Sequence, residues 1–351
     1  MKRLVVKIGS SSLVKGGGLD LINMRRLVEQ TCILRNEGVE VVIVTSGAIA
    51  AGINKLGLVR KPQDVAKKQA LAAIGQPSLI KAYEQLFEEY SVLSAQILLS
   101  HDDFGSRKRT AHLTDAFKAL FAYGVVPIVN ENDALTVDEI KVGDNDTLSA
   151  LVALIVGADA LVLLTDVDGL YDGDPARDEN AKLIRIVENV SDVAAFAADA
   201  SSAVGTGGMR TKLSAATIAT EAGIETRIIN VKALSELSEI AKGSCSGTLF
   251  KAKKKSRTAK QSWLLHCATK CGTVIVDDGA KSALKNRKSL LSCGVLGVKG
   301  DFRNGDALSV CDKNGDEFAV GLAIFSARET EDIIGKSENR VIVHADSIGI
   351  I

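Results

Sequence analysis

The sequence predicts an α/β fold: an open, mostly parallel sheet sandwiched by helices, followed by a small β-rich domain. Three observations predict it. Apolar runs alternate with helix-length segments through about residue 250, the signature of strand–helix–strand units in a parallel sheet. Those runs are near-continuous, as in strands covered on both faces. Beyond Phe250 the texture changes to short β-type runs broken by Gly, Asn and Asp turns.

Taken in order, LVVKI (Leu4 to Ile8) reads as a buried strand. A helix follows from about Asp20 to Glu37, with Asp20 as N-cap and Gly38 just past its end. VEVVIVT (Val39 to Thr45) is the next strand and stops at Ser46-Gly47. Helices are expected from about Gln63 to Ile74 and from Ser78 to Tyr90, because Pro62 and Pro77 suit helix starts. SAQILLS is a strand, Thr110 to Tyr123 a helix, VVPIVN a strand and Asn145 to Val156 a helix. Ala160 to Asp166 is a strand, Met209 to Ala222 a helix, Glu225 to Asn230 a strand and Ser235 to Ala241 a short helix.

Three segments are expected: residues 1–250, a basic linker over 251–271 containing KAKKKSRTAK, and a β-rich domain over 272–351. Turns such as Arg303-Asn304-Gly305-Asp306 and Asn314-Gly315-Asp316 separate the strands of that last domain, which suits a small barrel.

Lys+Arg and Asp+Glu each number 43, so no global field points to nucleic acid or membrane. The six cysteines are sparse, and Cys267 and Cys271 lack the second CxxC or HxxxH of a zinc site. They read as buried thiols in a reducing compartment. Lys7 interrupts the first apolar run, which excludes a signal peptide, and Asp159 breaks the most apolar window. The expected location is cytoplasmic.

Familiar nucleotide loops are absent. Gly335-Lys336-Ser337 resembles the end of a P-loop, but position 330 is Thr where the loop needs Gly. Gly205-Thr206-Gly207-Gly208-Met209-Arg210 resembles GxGxxG, but ends in Arg and follows no apolar strand. That weakens a nicotinamide dehydrogenase reading.

Four small-residue turns instead end apolar strands: Lys7-Ile8-Gly9-Ser10, Thr45-Ser46-Gly47-Ala48, the stretch Asn130 to Ala150, and Thr165-Asp166. In an open parallel sheet, ligands bind outside the carboxyl ends of the strands, so all four would face one crevice. Asn130 to Ala150 holds Asp133, Asp138, Asp144 and Asp146 among Asn130, Asn132 and Asn145. It is either a solvated acidic turn or the mouth of a pocket. Glycine admits close backbone approach to an anion, and cations must supply the remaining attraction. Lys7 and Lys212 are the candidates. A buried Lys7 needs a partner, whereas Lys212, early in a helix, fits either an anion site or an exposed surface. No histidine falls in these turns, which argues against His-based acid–base chemistry. It suits a nucleophile already ionised at neutral pH, such as a carboxylate.

VVKIGSS, VTSGAIAAG, NENDA, IKVGDNDTLSA, LLTDVDGLY and GTGGMRTK, in this order over roughly residues 2 to 250, resemble the amino acid kinase family. IKVGDND with NENDA is similar to its glutamate-phosphorylating members rather than to carbamate, acetylglutamate, uridylate or aspartate kinases. The tail from about Gly272 to Ile351, through VDDGA and its Gly-rich strands, resembles a PUA domain.

The resemblance implies the amino acid kinase fold and ATP-dependent phosphorylation of the γ-carboxylate of L-glutamate, the first step of proline biosynthesis. It implies that Lys7 and Lys212 contact ATP phosphates and that Asp146 orients both lysines. Ser46, Asp133, Asp144 and Asn145 would hold glutamate. Lys7, Gly9, Thr165 and Asp166, with the loop Thr206, Gly207, Gly208, Met209, Arg210, Thr211 and Lys212, would line the nucleotide site. Mg²⁺ would bridge the β- and γ-phosphates. Feedback inhibition by proline and a homo-oligomer, dimer or tetramer, are implied as well. Asp172 departs from the small polar residue of many relatives. PUA domains are associated elsewhere with RNA, and the one strongly basic run near this tail is Lys251 to Lys260. The rivals are another kinase of the same fold and an RNA-binding protein with a degenerate kinase domain.

Overall fold

The computed structural model describes the chain except residues 61, 136–144, 176–177, 198–207, 244–245, 254–257, 335 and 337–338, and the side chains of 101 and 259. It divides into two compact units. One comprises Met1–Asp103 and Thr110–Lys255, the other Phe104–Arg109 and Ser256–Ile351.

In the first unit the strands are β1 (Arg3–Ile8), a short hairpin β2 (Val14–Lys15) and β3 (Gly18–Leu19), β4 (Glu40–Val44), β5 (Ser94–Leu99), β6 (Val126–Glu131), β7 (Ala160–Thr165), β8 (Ile186–Val187), β9 (Glu225–Asn230) and β10 (Thr248–Phe250). The helices are α1 (Ser10–Leu13), α2 (Leu21–Asn36), α3 (Ala48–Lys55), α4 (Val65–Glu88), α5 (His101–Gly105), α6 (Arg107–Ala122), α7 (Asn145–Val156), α8 (Met209–Glu221) and α9 (Leu237–Ala241), the end of α5 and the start of α6 being grouped with the other unit. The sheet runs β5-β6-β4-β1-β7-β9-β10-β8. From β5 to β9 every pairing is parallel. β10 runs antiparallel to β9. This is the sandwiched α/β sheet that the apolar runs predict.

Local chemistry sets these elements. The Asp20 carboxylate accepts from the Ile22 and Asn23 N–H groups and starts α2, a cap worth about 1 kcal/mol. The strands alternate between faces. Leu4, Val6 and Ile8 join Ile43, Val162, Leu164, Met24, Leu27, Leu79 and Tyr83 in one core. Val5 and Lys7 consequently point to the opposite face, where α7 packs on β1.

One expectation fails. Pro77 starts no helix; it lies inside the continuous α4. Leu71, Ala72, Leu79, Tyr83, Leu86 and Phe87 are buried on both sides of it. Burying that shared stripe outweighs the one backbone hydrogen bond a proline removes.

The second unit is β-rich. Its strands are β11 (Lys270–Val276), β12 (Leu290–Leu291), β13 (Val295–Gly300), β14 (Ala307–Cys311), β15 (Glu317–Leu322), β16 (Val341–Val343) and β17 (Ile348–Ile350). Its helices are α10 (Ala259–His266), α11 (Asp278–Lys285) and α12 (Ala327–Ile333). Five strands form the sheet β13-β11-β14-β15-β17, and β12 pairs with β16. Val274, Val276, Leu308, Val310, Phe302 and Ile342 build a separate core. The segment expected as a basic linker carries α10, opened by a reciprocal Thr258–Gln261 capping box.

Candidate active site

The strand order places the carboxyl ends of β6, β4, β1 and β7 side by side, so the four turns singled out in the sequence share one edge. Lys7 is opposite Val44 of β4 and Leu163 of β7. Thr165, two residues beyond Leu163, lies on the same face of the sheet.

Asp146, in the first turn of α7, is the centre of the arrangement. It is 0% exposed, with Lys7 at 5% and Lys212 at 7%. Its Oδ1 is 2.5 Å from Lys7 Nζ and its Oδ2 is 3.2 Å from Lys212 Nζ. Thr211 Oγ1 donates to Oδ2 at 2.9 Å and reaches back to the Gly208 carbonyl at 2.8 Å. Burial alone would raise the Asp146 pKa, but the two ammonium groups and the Thr211 hydroxyl hold it below the ordinary value. Among the described residues, two cations against one anion leave one formal positive charge removed from water. Such a charge is costly without a counter-ion, so the arrangement suits an incoming anion. A Cβ on Gly9 would stand 3.3 Å from Lys7 Nζ, so the glycine leaves that flank of the ammonium open.

On the β4–β6 side, Asn145 opens α7. Its Nδ2 lies 2.6 Å from the Thr45 carbonyl oxygen, 2.7 Å from Ser46 Oγ and 3.1 Å from Asn130 Oδ1, three acceptors that share its two N–H groups. Its own Oδ1 is buried and accepts no hydrogen bond among the described residues. Gly47 turns the chain away from Ser46 at φ 103°, a left-handed conformation that favours glycine. Asp133 is half-buried in the turn after β6. Asp138 and Asp144 lie outside the described residues.

On the β7–β9 side, Thr165 Oγ1 donates to Asp166 Oδ1 at 3.1 Å. Asn230, ending β9, donates to the Asp166 carbonyl at 3.1 Å and to Asp168 Oδ1 at 2.7 Å. Gly208 is the N-cap of α8, Met209 is half-buried and Arg210 exposed. Thr206 and Gly207 lie outside the described residues. Asp172 closes a local hairpin: its carboxylate accepts from the Lys182 N–H at 2.7 Å.

Thus Lys7, Asp146, Thr211 and Lys212 make one cluster, Ser46 and Asn145 a second, and Thr165 and Asp166 a third. The sequence reading missed Asn130, Asn230 and Asp168 as parts of these networks. Asn130 and Asn230 each stand where an apolar strand ends, and that position was the available signal.

The pattern of the amino acid kinase family matches residues 2–230, and that of the PUA domain matches residues 272–344. The chain is 44% identical over 363 aligned residues to the glutamate 5-kinase of a Thermoanaerobacter species, covering 99% of this chain and 98% of that protein. It is 45% identical over 366 aligned residues to the glutamate 5-kinase of Carboxydothermus hydrogenoformans, covering 100% and 98%. The fold is similar to that of carbamate kinase from Giardia lamblia bound to AMP-PNP, with a TM-score of 0.52 at 17% identity over 72% of this chain and 99% of that one. It is also similar to UMP kinase from Bacillus anthracis, with a TM-score of 0.50 at 16% identity over 72% and 97%.

Proposed function

The chain belongs to the amino acid kinase family, and on that premise we propose that it transfers the γ-phosphoryl group of ATP to the γ-carboxylate of L-glutamate. The products are L-glutamyl 5-phosphate and ADP, and the reaction is the first step of proline biosynthesis. Full-length relatives named glutamate 5-kinase support the substrate. The observation that carries the chemistry is the single buried carboxylate of Asp146 shared by Lys7 and Lys212.

A carboxylate oxygen of glutamate attacks the γ-phosphorus. A bond forms between that oxygen and phosphorus, the bond from phosphorus to the β,γ-bridging oxygen breaks, and ADP leaves with the electron pair. Glutamate is ionised at neutral pH, so no base is needed; alignment and charge neutralisation are. Lys7 and Lys212 supply the neutralising charge, and Asp146 holds both. Thr165, Asp166, Gly9 and the segment from Gly208 to Lys212, with Thr206 and Gly207, form the nucleotide side. Ser46, Asn145, Asp133 and Asp144 form the amino acid side, where the acids and the Asn145 Oδ1, an acceptor without a partner among the described residues, suit an α-ammonium group.

A kinase of this kind takes its nucleotide with a divalent cation, here Mg²⁺. Both oxygens of Asp146 are engaged by lysines, and that donor set does not fit a protein-bound cation. Mg²⁺ would therefore enter with the nucleotide and would supply charge neutralisation there, beside Lys7 and Lys212. Inhibition by proline, a homo-oligomer and a cytoplasmic setting follow from the resemblance as further expectations. Among the described residues, no helix is long and apolar enough to cross a membrane.

Hydroxylamine traps an acyl phosphate as a hydroxamate. With ATP and Mg²⁺, the protein should yield hydroxamate from L-glutamate and little from N-acetylglutamate or aspartate. Turnover of N-acetylglutamate with none of glutamate would overturn the substrate.

A further inference from the structure

A line of carboxamides leads from the amino acid side of the site into α4. Asn145 donates to Asn130 Oδ1 at 3.1 Å, Asn130 Nδ2 donates to Gln76 Oε1 at 2.8 Å, and Gln76 Nε2 donates to Gln96 Oε1 at 3.0 Å. Asn130 is 1% exposed and Gln76 9%, whereas Gln96 is exposed. Every link points outward, and one group fixes that polarity. The Thr45 carbonyl can only accept, so Asn145 must turn its NH₂ to it. Facing that NH₂, Asn130 offers its oxygen inward and its NH₂ outward, and Gln76 offers oxygen to Asn130. The consequence at the inner end is that Asn145 presents Oδ1, a buried acceptor without a partner among the described residues.

The seat of Gln76 is rigid. A Cβ on its neighbour Gly75 would fall 1.9 Å from the Ala48 carbonyl, and one on Gly52 would fall 2.0 Å from the Leu71 carbonyl. Backbone therefore touches backbone where α4 crosses α3, and α3 begins two residues after Ser46.

We propose that Gln76 is a positioning residue for substrate recognition: as the acceptor for Asn130, it supports the orientation, set by the Thr45 carbonyl, in which the Asn145 amide oxygen faces the α-ammonium group of the amino acid. This rests on the reading of the site as an amino acid kinase. Without the Gln76 acceptor, the buried Asn130 NH₂ loses its partner. Turning it inward would set two NH₂ groups against each other, at Asn130 and at Asn145. Leaving such a donor unsatisfied shifts an equilibrium by on the order of tenfold.

The test is steady-state kinetics on the full chain, with Gln76→Met and, as a second variant of different shape, Gln76→Leu. Each should raise the glutamate KM about tenfold while the ATP KM stays within about twofold. Each should also narrow the preference for glutamate over glutarate, which lacks the α-ammonium, by a similar factor. Gln76→Glu retains an acceptor for Asn130, and the exposed Gln96 can turn its NH₂ toward it, so this variant should stay near wild type. A glutamate KM and glutarate discrimination unchanged in Gln76→Met or Gln76→Leu would overturn the proposal. So would a Gln76→Glu defect as large as theirs. Wild-type protein inactive on glutamate would instead overturn the substrate reading.

Discussion

Lys7 Nζ lies 2.5 Å from Asp146 Oδ1, joining the next-to-last residue of β1 to the first turn of α7. The same carboxylate reaches Lys212 of α8, so one anion holds cations from two other elements.

Replacing either lysine tests the cationic role. Lys7→Ala and Lys212→Ala should each lower kcat by about 10²–10³, the typical cost of removing one preorganised charge donor. Steady-state rates with glutamate and ATP measure this. A loss under tenfold in both would contradict the assignment.

Asp146→Asn keeps the shape and removes the charge that both lysines share. It should lose activity by a similar factor. It should also lose about 3–5 kcal/mol of stability, because two buried ammonium groups are left uncompensated. The pH dependence gives an independent check. The Asp146 pKa is depressed in the folded protein, so its stabilisation is fully present above the unfolded value of about 3.9 and drains away as pH falls through the folded value. Urea unfolding from about pH 5 downward should show wild type converging on Asp146→Asn. Parallel curves would refute this.

Asp133 is half-buried in the turn after β6. Asp133→Asn should raise the glutamate KM about tenfold or more, as loss of one charged hydrogen bond does. The ATP KM should stay nearly unchanged. Equal rises in both constants would remove Asp133 from the amino acid side.

Gly47 has a φ of 103°. Gly47→Ala should cost about 1–2 kcal/mol through left-handed strain, read as a lower midpoint in chemical denaturation. The nearest side-chain atom to a new Cβ would be 3.7 Å away, so a clash would not be the cause. An unchanged midpoint would show that the turn relaxes.

The sheet and its ligand edge were legible because their signals are local. Apolar runs name the strands, and Lys7 within one of them announces a buried charge that needs a partner. Asp146 followed from the family motif alone. Other features depend on contacts between distant segments. Gln76, Asn130 and Gln96 become one relay only when α4, β6 and β5 meet. Pro77 misled for the same reason: its local preference for a helix start yields to a stripe of core contacts made by both halves of α4. The grouping of Phe104–Arg109 with the C-terminal unit has no local signal at all.

Oxygen transfer tests the central claim most directly. Glutamate labelled with ¹⁸O in its γ-carboxylate, incubated with ATP and Mg²⁺, forms an acyl phosphate whose bridging oxygen carries the label. When the α-amino group attacks the acyl carbon and the product cyclises, phosphate leaves with that oxygen. Phosphorus NMR should then show inorganic phosphate bearing one ¹⁸O, formed in step with ADP. ADP formed with unlabelled phosphate alone would mean that water, not glutamate, is the acceptor, and would contradict the account.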